Sequence, residues 1–267
     1  MQHKWKVASH LTKKDIVNYG SFYTPEKLKK YIENLIYENI NVTTLDDFVL
    51  LDSSCGTGNL LSMPFKFKKI IGVDIDKDAI EIAKVRFNHQ FYFNNFNALE
   101  NISRDNYQLT CQDKLFIVGN PPYNDRTSII QSYIKTYNIY NINPLVMHRD
   151  LGISFLLSYN LLKAEYICVL HPLSYLIKKS NFNSLGAFKE NYKLIDSIIV
   201  SSSEFSLNSL SYFPIIIALY KRDVNGMNYD FITHYKFKTN NNNTFSIDKY
   251  DFISKYIDKY PNKNGKI

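Results

Sequence analysis

Apolar positions along the chain follow two patterns. From residue 26 to 38 the chain reads EKLKKYIENLIYE, with Leu28, Ile32 and Leu35 or Ile36 spaced to share one face of an amphipathic helix. Thr24-Pro25 precedes it as a start signal, since threonine caps helices and proline is tolerated at the first helical position. Further on, short continuous apolar runs take over: FVLLD at 48–52, KKIIGVD ending at Asp74, FYF at 91–93, LFIVG at 115–119, YICVL at 166–170 and LIDSIIV at 194–200. These read as strands. Between them lie a short helix through Leu60, a helix KDAIEIAKVRF with Asp76 as its cap, a helix at about 150–163 and a helical region at 173–192. Strand–helix alternation of this kind predicts an α/β domain with a largely parallel sheet.

In such a sheet, ligands bind in the crevice outside the carboxyl ends of the strands. Asp52, Asp74, Asn97 and Asn120 all fall just past the ends of successive predicted strands. Residues 139–148 form an irregular segment, and the character of the chain changes beyond Arg222. Residues 223–267 hold the polar tract TNNNNT and the lysine-rich end DKYPNKNGKI, and read as a short extension with a weak core of Tyr, Phe and Ile. The expected division is therefore a catalytic domain over 1–222 and a reduced extension over 223–267.

Composition narrows the function classes. Hydrophobic residues make up 45% of the 267, enough for a substantial core and too many for a disordered chain. A formal charge of +7 fits a polyanionic partner. Cys55, Cys111 and Cys168 form no CxxC pair, and the six histidines are dispersed, so neither a disulfide framework nor a metal site is expected. Free cysteines suit a reducing cytoplasm. The N-terminal stretch lacks the apolar core of a signal peptide, and the longest apolar runs are too short to span a bilayer.

Three elements carry chemistry. In LLDSSCGTGNLL at 50–61, Gly56 and Gly58 allow a tight turn and close backbone approach, and Asp52 stands where a carboxylate could hold a cationic amino group or orient the turn. An ordinary strand–turn–helix junction can share this sequence, which is neither GxGxxG nor a P-loop. In IGVDID at 71–76, Asp74 is placed to take both hydroxyls of a ribose by charge-assisted hydrogen bonds. VGNPPYN at 118–124 is the most specific. A conjugated amine such as adenine N6 is a poor nucleophile until two acceptors on its hydrogens localise the lone pair. The Asn120 side-chain carbonyl and the rigidly held Pro121 carbonyl supply such a pair, and Tyr123 offers a flat face for a base. Elsewhere, Asn-Pro-Pro is merely a turn; here it ends a predicted strand.

GSFYTP at 20–25, LLDSSCGTGNLL, IGVDID and GNPPY, in this order, resemble the amino-methyltransferases of restriction–modification systems, and more narrowly their gamma group. The resemblance covers about residues 18–222. It implies a seven-stranded, Rossmann-like class I methyltransferase sheet with helices on both faces and an antiparallel strand at 214–222. It implies S-adenosylmethionine as cofactor, double-stranded DNA as partner and transfer of methyl to N6 of a flipped-out adenine. Residue by residue, Asn120, Pro121, Pro122 and Tyr123 become the catalytic element, with Asn120 also at the cofactor's edge. Tyr23, Thr24 and Pro25 pack along the methionine part; Asp52, Ser53 and Gly56 surround its amino-acid end; Asp74 and Ile75 bind ribose and adenine. Asn97 stands where the family usually has an Asp on the adenine amino group. Phe205 is the candidate for stacking on the base opposite Tyr123, with Tyr212 and Phe213 as alternatives.

The chain departs from the gamma group in carrying only a short segment after Arg222 where a large recognition domain is usual. Recognition then falls to that segment and the loops, to a separate specificity subunit, or to the rest of a longer protein. Asn-Pro-Pro-Tyr also occurs in enzymes that methylate the glutamine of translation release factors, though those carry an unrelated helical N-terminal domain. Two further functions compete with DNA methylation: that of an rRNA adenine methyltransferase, and that of a non-catalytic subunit which binds DNA with the cofactor fold.

Overall fold

The computed structural model describes residues 24–88, 90–123, 141–205 and 212–248. Strands β1 (Phe48–Asp52), β2 (Lys69–Asp74), β3 (Tyr92–Asn95), β4 (Lys114–Gly119), β5 (Tyr166–Pro172), β6 (Tyr192–Ser201) and β7 (Pro214–Arg222) form one seven-stranded sheet. Their order is β3-β2-β1-β4-β5-β7-β6. β1 to β5 pair in parallel, while β7 runs antiparallel to both β5 and β6. This is the sheet that the resemblance implies, including the antiparallel strand at 214–222.

The continuous apolar runs follow from burial on both faces. Val49, Leu51, Leu115, Ile117, Ile167 and Val169 enter one core. Their neighbours Leu50, Phe116, Val118, Cys168 and Leu170 enter the other. Helix α1 (Glu26–Asn39) covers the second face with Leu28, Ile32, Leu35 and Ile36, the stripe read from the sequence. Helix α2 (Lys77–Arg86) packs Ile80 and Ala83 there too, and Asp76 caps it through the Asp78 and Ala79 amides at 2.9 and 3.1 Å. Helix α3 (Leu151–Leu161) covers the first face and is buried nearly all round. Among the described residues no helix is long and apolar enough to cross a membrane.

One local expectation is corrected and one is resolved into smaller pieces. Thr24 does not cap α1: Pro25 occupies the cap position, and its carbonyl accepts from the Leu28 and Lys29 amides. Thr24 is buried, its carbonyl accepting from Asn59 Nδ2 at 2.6 Å, so this residue faces the glycine-rich turn. The region 173–192 is three short helices, α4 (Ser174–Ile177), α5 (Lys179–Ser184) and α6 (Ala187–Asn191). Extended backbone at Lys178 and Gly186 at φ 49° interrupt it.

Past Arg222 come helix α7 (Tyr229–His234) and a hairpin of β8 (Phe237–Lys238) with β9 (Thr244–Phe245). Met227, Ile232, Phe237 and Ile247 are buried in the first core. The Asn240 amide donates to Ile199 O at 3.0 Å and Lys238 Nζ reaches Asp196 Oδ1 at 3.0 Å, which fastens the hairpin to the edge strand β6. An uncovered edge invites pairing with other chains. The described part of the extension, 223–248, therefore completes the core and shields that edge; the lysine-rich end lies outside the described residues.

We expect deletion of residues 223–267 to give insoluble or unfolded protein. Uncovering Met227, Ile232, Phe237 and Ile247 forfeits roughly 1.5–3 kcal/mol each, comparable in sum to a whole domain's stability of about 5–15 kcal/mol. A truncated chain that stays soluble with an unchanged melting temperature in a thermal scan would contradict this.

Candidate active site

The site begins where β1 leaves the sheet. Asp52 is buried at the end of β1, and its Oδ1 accepts from the Ser54 amide at 3.0 Å. Asp74, at the end of β2, bridges two elements: Oδ2 accepts from the Gly56 amide at 2.7 Å and Oδ1 from the Asp76 amide at 2.9 Å. Gly56 and Gly58 hold φ of 52° and 79°, left-handed values that glycine adopts without strain. A Cβ at Gly58 would stand 2.8 Å from the Phe87 ring. Asn59 ties this turn back to Thr24 and takes a bond from Arg86 Nη2 at 3.0 Å. Asp74 thus shapes the turn besides ending its strand; carboxylate oxygens accept more than one bond, so a ribose hydroxyl remains compatible with it.

Asn95 Nδ2 donates to both Asp74 O and Ile75 O at 2.9 Å, and the Ile75 side chain is left 40% exposed beside the crevice. Asn97 is half-buried; its Oδ1 accepts from the Leu99 amide at 3.0 Å and its Nδ2 donates to Asn141 O at 3.1 Å. The second bond requires an amide donor, which the Asp usual in the family lacks.

Burial sets the electrostatics. Desolvation pushes the Asp52 carboxyl up to about 8, against the lowering effect of the Ser54 amide and with a further push from Asp74. Asp74, half-buried in its own surface but ringed by protein, is pushed up to about 6, its backbone bonds to Asp76 and Gly56 opposing the desolvation. Among the described residues no lysine, arginine or histidine forms a salt bridge with either carboxylate. Among the described residues the hydroxyls of Ser53, Ser54 and Tyr159 are buried beside them without a well-formed hydrogen bond, although Tyr159 lies within hydrogen-bonding reach of both serines and Ser54 within reach of Asp52. Two desolvated carboxylates and a cluster of buried hydroxyls at a glycine turn fit a ligand bearing a cationic amine and further hydroxyls. The amino-acid and ribose parts of S-adenosylmethionine meet that description.

The Asn-Pro-Pro-Tyr element adjoins this turn. A Cβ on Gly119 would lie 3.2 Å from the Tyr159 hydroxyl, 3.6 Å from Asp52 Oδ1 and 3.8 Å from Pro121 Cδ. The close neighbour is the Tyr159 hydroxyl; Asp52 and Pro121 stand at ordinary contact distance. Asn120 is half-buried, and the Tyr123 hydroxyl donates to its Oδ1. Burial holds the Tyr123 phenol well above its usual range, so it stays protonated as that donor. Tyr123 and Phe205 are both half-buried and both pack on the core under α1. Glu204, before Phe205, pairs with Lys27 of α1 at 2.8 Å. Tyr212 and Phe213 are 50% and 45% exposed, and Phe213 is pinned by bonds of 2.9 and 3.0 Å with Ser202.

The structure therefore brings Asp52, Ser53, Gly56, Asp74 and Ile75 to one turn, with Thr24 linked to it through Asn59. Asn120, Pro121, Pro122 and Tyr123 stand beside it. Tyr23 lies outside the described residues. Sequence reasoning missed Ser54, Asn59, Asn95, Gly119 and Tyr159. Ser54, Asn59 and Gly119 sit inside the quoted motifs; nothing local marks Tyr159, whose contact with the turn spans the domain.

Comparison with known proteins gives the family and the fold. The sequence model of the N-6 DNA methylase family matches residues 7–176, well over half of the chain. The chain belongs to that family. The modification methylase CviBIII of Paramecium bursaria Chlorella virus NC1A is 31% identical over 122 residues, 44% of this chain and 29% of that protein. The type II methyltransferase M.CvrRI of Paramecium bursaria Chlorella virus XZ-6E is 28% identical over 116 residues, 42% of this chain and 27% of its own. The match thus spans less than a third of either relative. Among solved structures, a putative class I S-adenosylmethionine-dependent methyltransferase from Listeria monocytogenes superposes with a TM-score of 0.56 at 18% identity, covering 84% of this chain and 66% of that one. A putative RNA methyltransferase from Pyrococcus horikoshii gives 0.51 at 16% identity, covering 77% and 88%. At such identities these two establish the class I fold. Fold and family imply S-adenosylmethionine as the cofactor.

The raised carboxyls give the ligand-free N-6 DNA methylase chain a pH signature. A carboxyl whose pKa is raised on folding contributes stability that is full below its unfolded value near 4 and is lost as the pH rises through about 6 for Asp74 and about 8 for Asp52. We expect Asp52→Asn to match the native chain near pH 4 and to exceed it by up to about 5 kcal/mol above pH 8. Urea unfolding at both pH values reads the difference; a gap independent of pH would show that Asp52 is not desolvated.

Proposed function

We propose that this chain transfers the methyl group of S-adenosylmethionine to the N6 amino group of an adenine flipped out of duplex DNA, as the modification enzyme of a restriction–modification system. The observation that carries the reading is the placement of Asn120-Pro121-Pro122-Tyr123 at the end of β4, beside the Asp52–Gly58 turn where the desolvated Asp52 and Asp74 carboxylates and the buried Ser53 and Ser54 hydroxyls gather. Membership of the N-6 DNA methylase family supports the same substrate.

When bound, the cofactor supplies a sulfonium-activated methyl group. Asp52 and Ser53 take its amino-acid end, Gly56 admits it to the backbone, Asp74 its ribose, and Ile75 offers an apolar face to its adenine. Asn97 contributes its amide oxygen there, shared with the Leu99 turn. Thr24 and Pro25, with Tyr23, line the methionine part. Asn120 Oδ1 and the Pro121 carbonyl accept the two amino hydrogens of the target base. That confines the nitrogen lone pair to the direction of the donor. Oδ1 is held by the Tyr123 hydroxyl, so the incoming amine displaces that hydroxyl. Tyr123 and Pro122 bound the base on one side and Phe205 on the other, which offsets part of the few kcal/mol lost on extrusion from the helix. The protein supplies positioning and exclusion of water, with no covalent intermediate on the enzyme.

Sequence recognition falls to the loops and the segment after Arg222, to a separate specificity subunit, or to further chain. Phosphate contacts carry no base information, so the isolated chain is expected to bind DNA weakly, with steep salt dependence.

The test is incubation with tritiated S-adenosylmethionine and, in parallel, duplex DNA, ribosomal RNA or a release factor. DNA is expected to be labelled and to yield N6-methyladenine on digestion. Asn120→Ala should lower the rate by at least about a hundredfold while cofactor affinity by calorimetry stays nearly constant. Asp74→Ala should weaken cofactor binding more than about tenfold, since a charge-assisted bond is worth roughly 1.5–3 kcal/mol. Label on cytosine, or on RNA or protein in preference to DNA, would refute the assignment.

A further inference from the structure

Behind Tyr123 lies a run of polar aromatic contacts that the chemistry above does not use. His171, buried at the end of β5, accepts from the Tyr220 hydroxyl of β7 through Nε2 at 2.7 Å, while Nδ1 meets Pro172 O at 2.9 Å. Desolvation pushes this histidine down to about 4, so it is neutral and Nδ1 carries the proton. Its ring stacks on Tyr175 of α4, centroids 5.3 Å apart and planes 10° from parallel. The Tyr175 hydroxyl donates to Asp150 Oδ1, which also caps α3 by accepting from the Gly152 amide at 3.0 Å. Over Gly152 the run reaches the catalytic element. A Cβ there would stand 2.5 Å from the Tyr175 hydroxyl oxygen, 3.2 Å from Tyr175 Cε2 and 3.3 Å from Cδ1 of Tyr123.

Gly152 stands in the first turn of α3, where glycine has no helix-forming advantage over alanine. No positive φ accounts for it here, because Gly152 is absent from the left-handed positions. What accounts for it is the room it leaves for two tyrosine rings, one of them the base-stacking candidate.

We propose that Gly152 is a positioning residue for Tyr123: its missing Cβ is the gap in which Tyr175 and Tyr123 meet over the first turn of α3. The His171–Tyr175–Asp150 stack is the fixed wall of that gap, anchored on β5 and β7. The wall sets where the Tyr123 ring stands, and with it the hydroxyl that rests on Asn120. This rests on the proposed role of Tyr123 toward the target base, and the measurements below separate the two claims.

The probe of position is 3-fluorotyrosine incorporated at Tyr123 and read by fluorine NMR, which needs neither DNA nor turnover. In Gly152→Ala the resonance is expected to move. Methyl transfer to duplex DNA is expected to fall about tenfold to a hundredfold, as for a displacement near 1 Å, with cofactor affinity within about twofold. Tyr175→Phe removes the atom that the new methyl would strike, at the expense of the bond to Asp150, and should lower the rate severalfold. The double variant Gly152→Ala/Tyr175→Phe should return resonance and rate to the Tyr175→Phe level, a rescue that general loss of stability does not produce. A folded Gly152→Ala with native resonance and rate overturns the proposal, as does a double variant no better than Gly152→Ala. If Gly152→Ala fails to fold, Tyr175→Phe alone decides: a moved resonance upholds the proposal and an unmoved one overturns it. A resonance that responds as expected in a protein inactive on DNA upholds the positioning role and refutes the proposed reaction.

Discussion

The Asp74 carboxylate is the joint that holds together the turn after β1 and the start of α2. One oxygen takes the amide of Gly56 in the turn after β1, and the other takes the amide of Asp76 that opens α2. β1 and β2 are parallel neighbours, with Asp52 opposite Gly72, so the two carboxylates are brought to one end of the sheet by register alone. Satisfying the backbone donors of a tight turn in this way means taking carboxylates out of water, and both carboxyls rise above their usual range chiefly through that desolvation, with a smaller push on Asp52 from Asp74 and on Asp74 from Asp76. The arrangement is unfavourable in the empty protein. It becomes favourable when a cation enters, so the same desolvation that weakens the free fold sharpens its preference for a ligand carrying a positive amine.

Much of this was legible in the chain. Parallel strands buried on both faces must be apolar at every position, which is why FVLLD and LFIVG announce themselves, and why the residues just past them mark the crevice. What escaped was whatever depends on distance in sequence. Thr24 looks like a cap because its neighbours are those of a cap; only its bond to Asn59 reveals that it belongs to the turn. Tyr159 lies on a helix buried almost all round, so no amphipathic period tells which way it points. The residues after Arg222 are polar enough to read as an appendage, yet a few well-spaced apolar side chains among them suffice to close the core and the β6 edge.

Asn97 illustrates a middle case. Its place after β3 was readable, and so was the substitution of an amide for the usual acid. Its consequence was not, since the Nδ2 bond to Asn141 O joins the cofactor crevice to the segment leading into α3. Family membership cannot supply such a detail, because it arises from the one atom in which this chain differs from the pattern.

The two halves of the candidate site meet at Gly119, and the geometry there bears on how the proposed Asn-Pro-Pro-Tyr element would act. Tyr159, Asp52 and Pro121 all lie within 3.8 Å of where a Cβ on that residue would stand. The donor pocket and the acceptor element are therefore separated by one bare backbone position. An amine whose lone pair is delocalised needs acceptors on its hydrogens more than it needs a base, and a base strong enough to deprotonate it would be hard to keep ionised beside two desolvated carboxylates. Neutral carbonyls avoid that conflict. In the proposed reaction Asn120 and Pro121 would polarise without adding charge, a kind of assistance that this buried, carboxylate-rich end of the sheet accommodates.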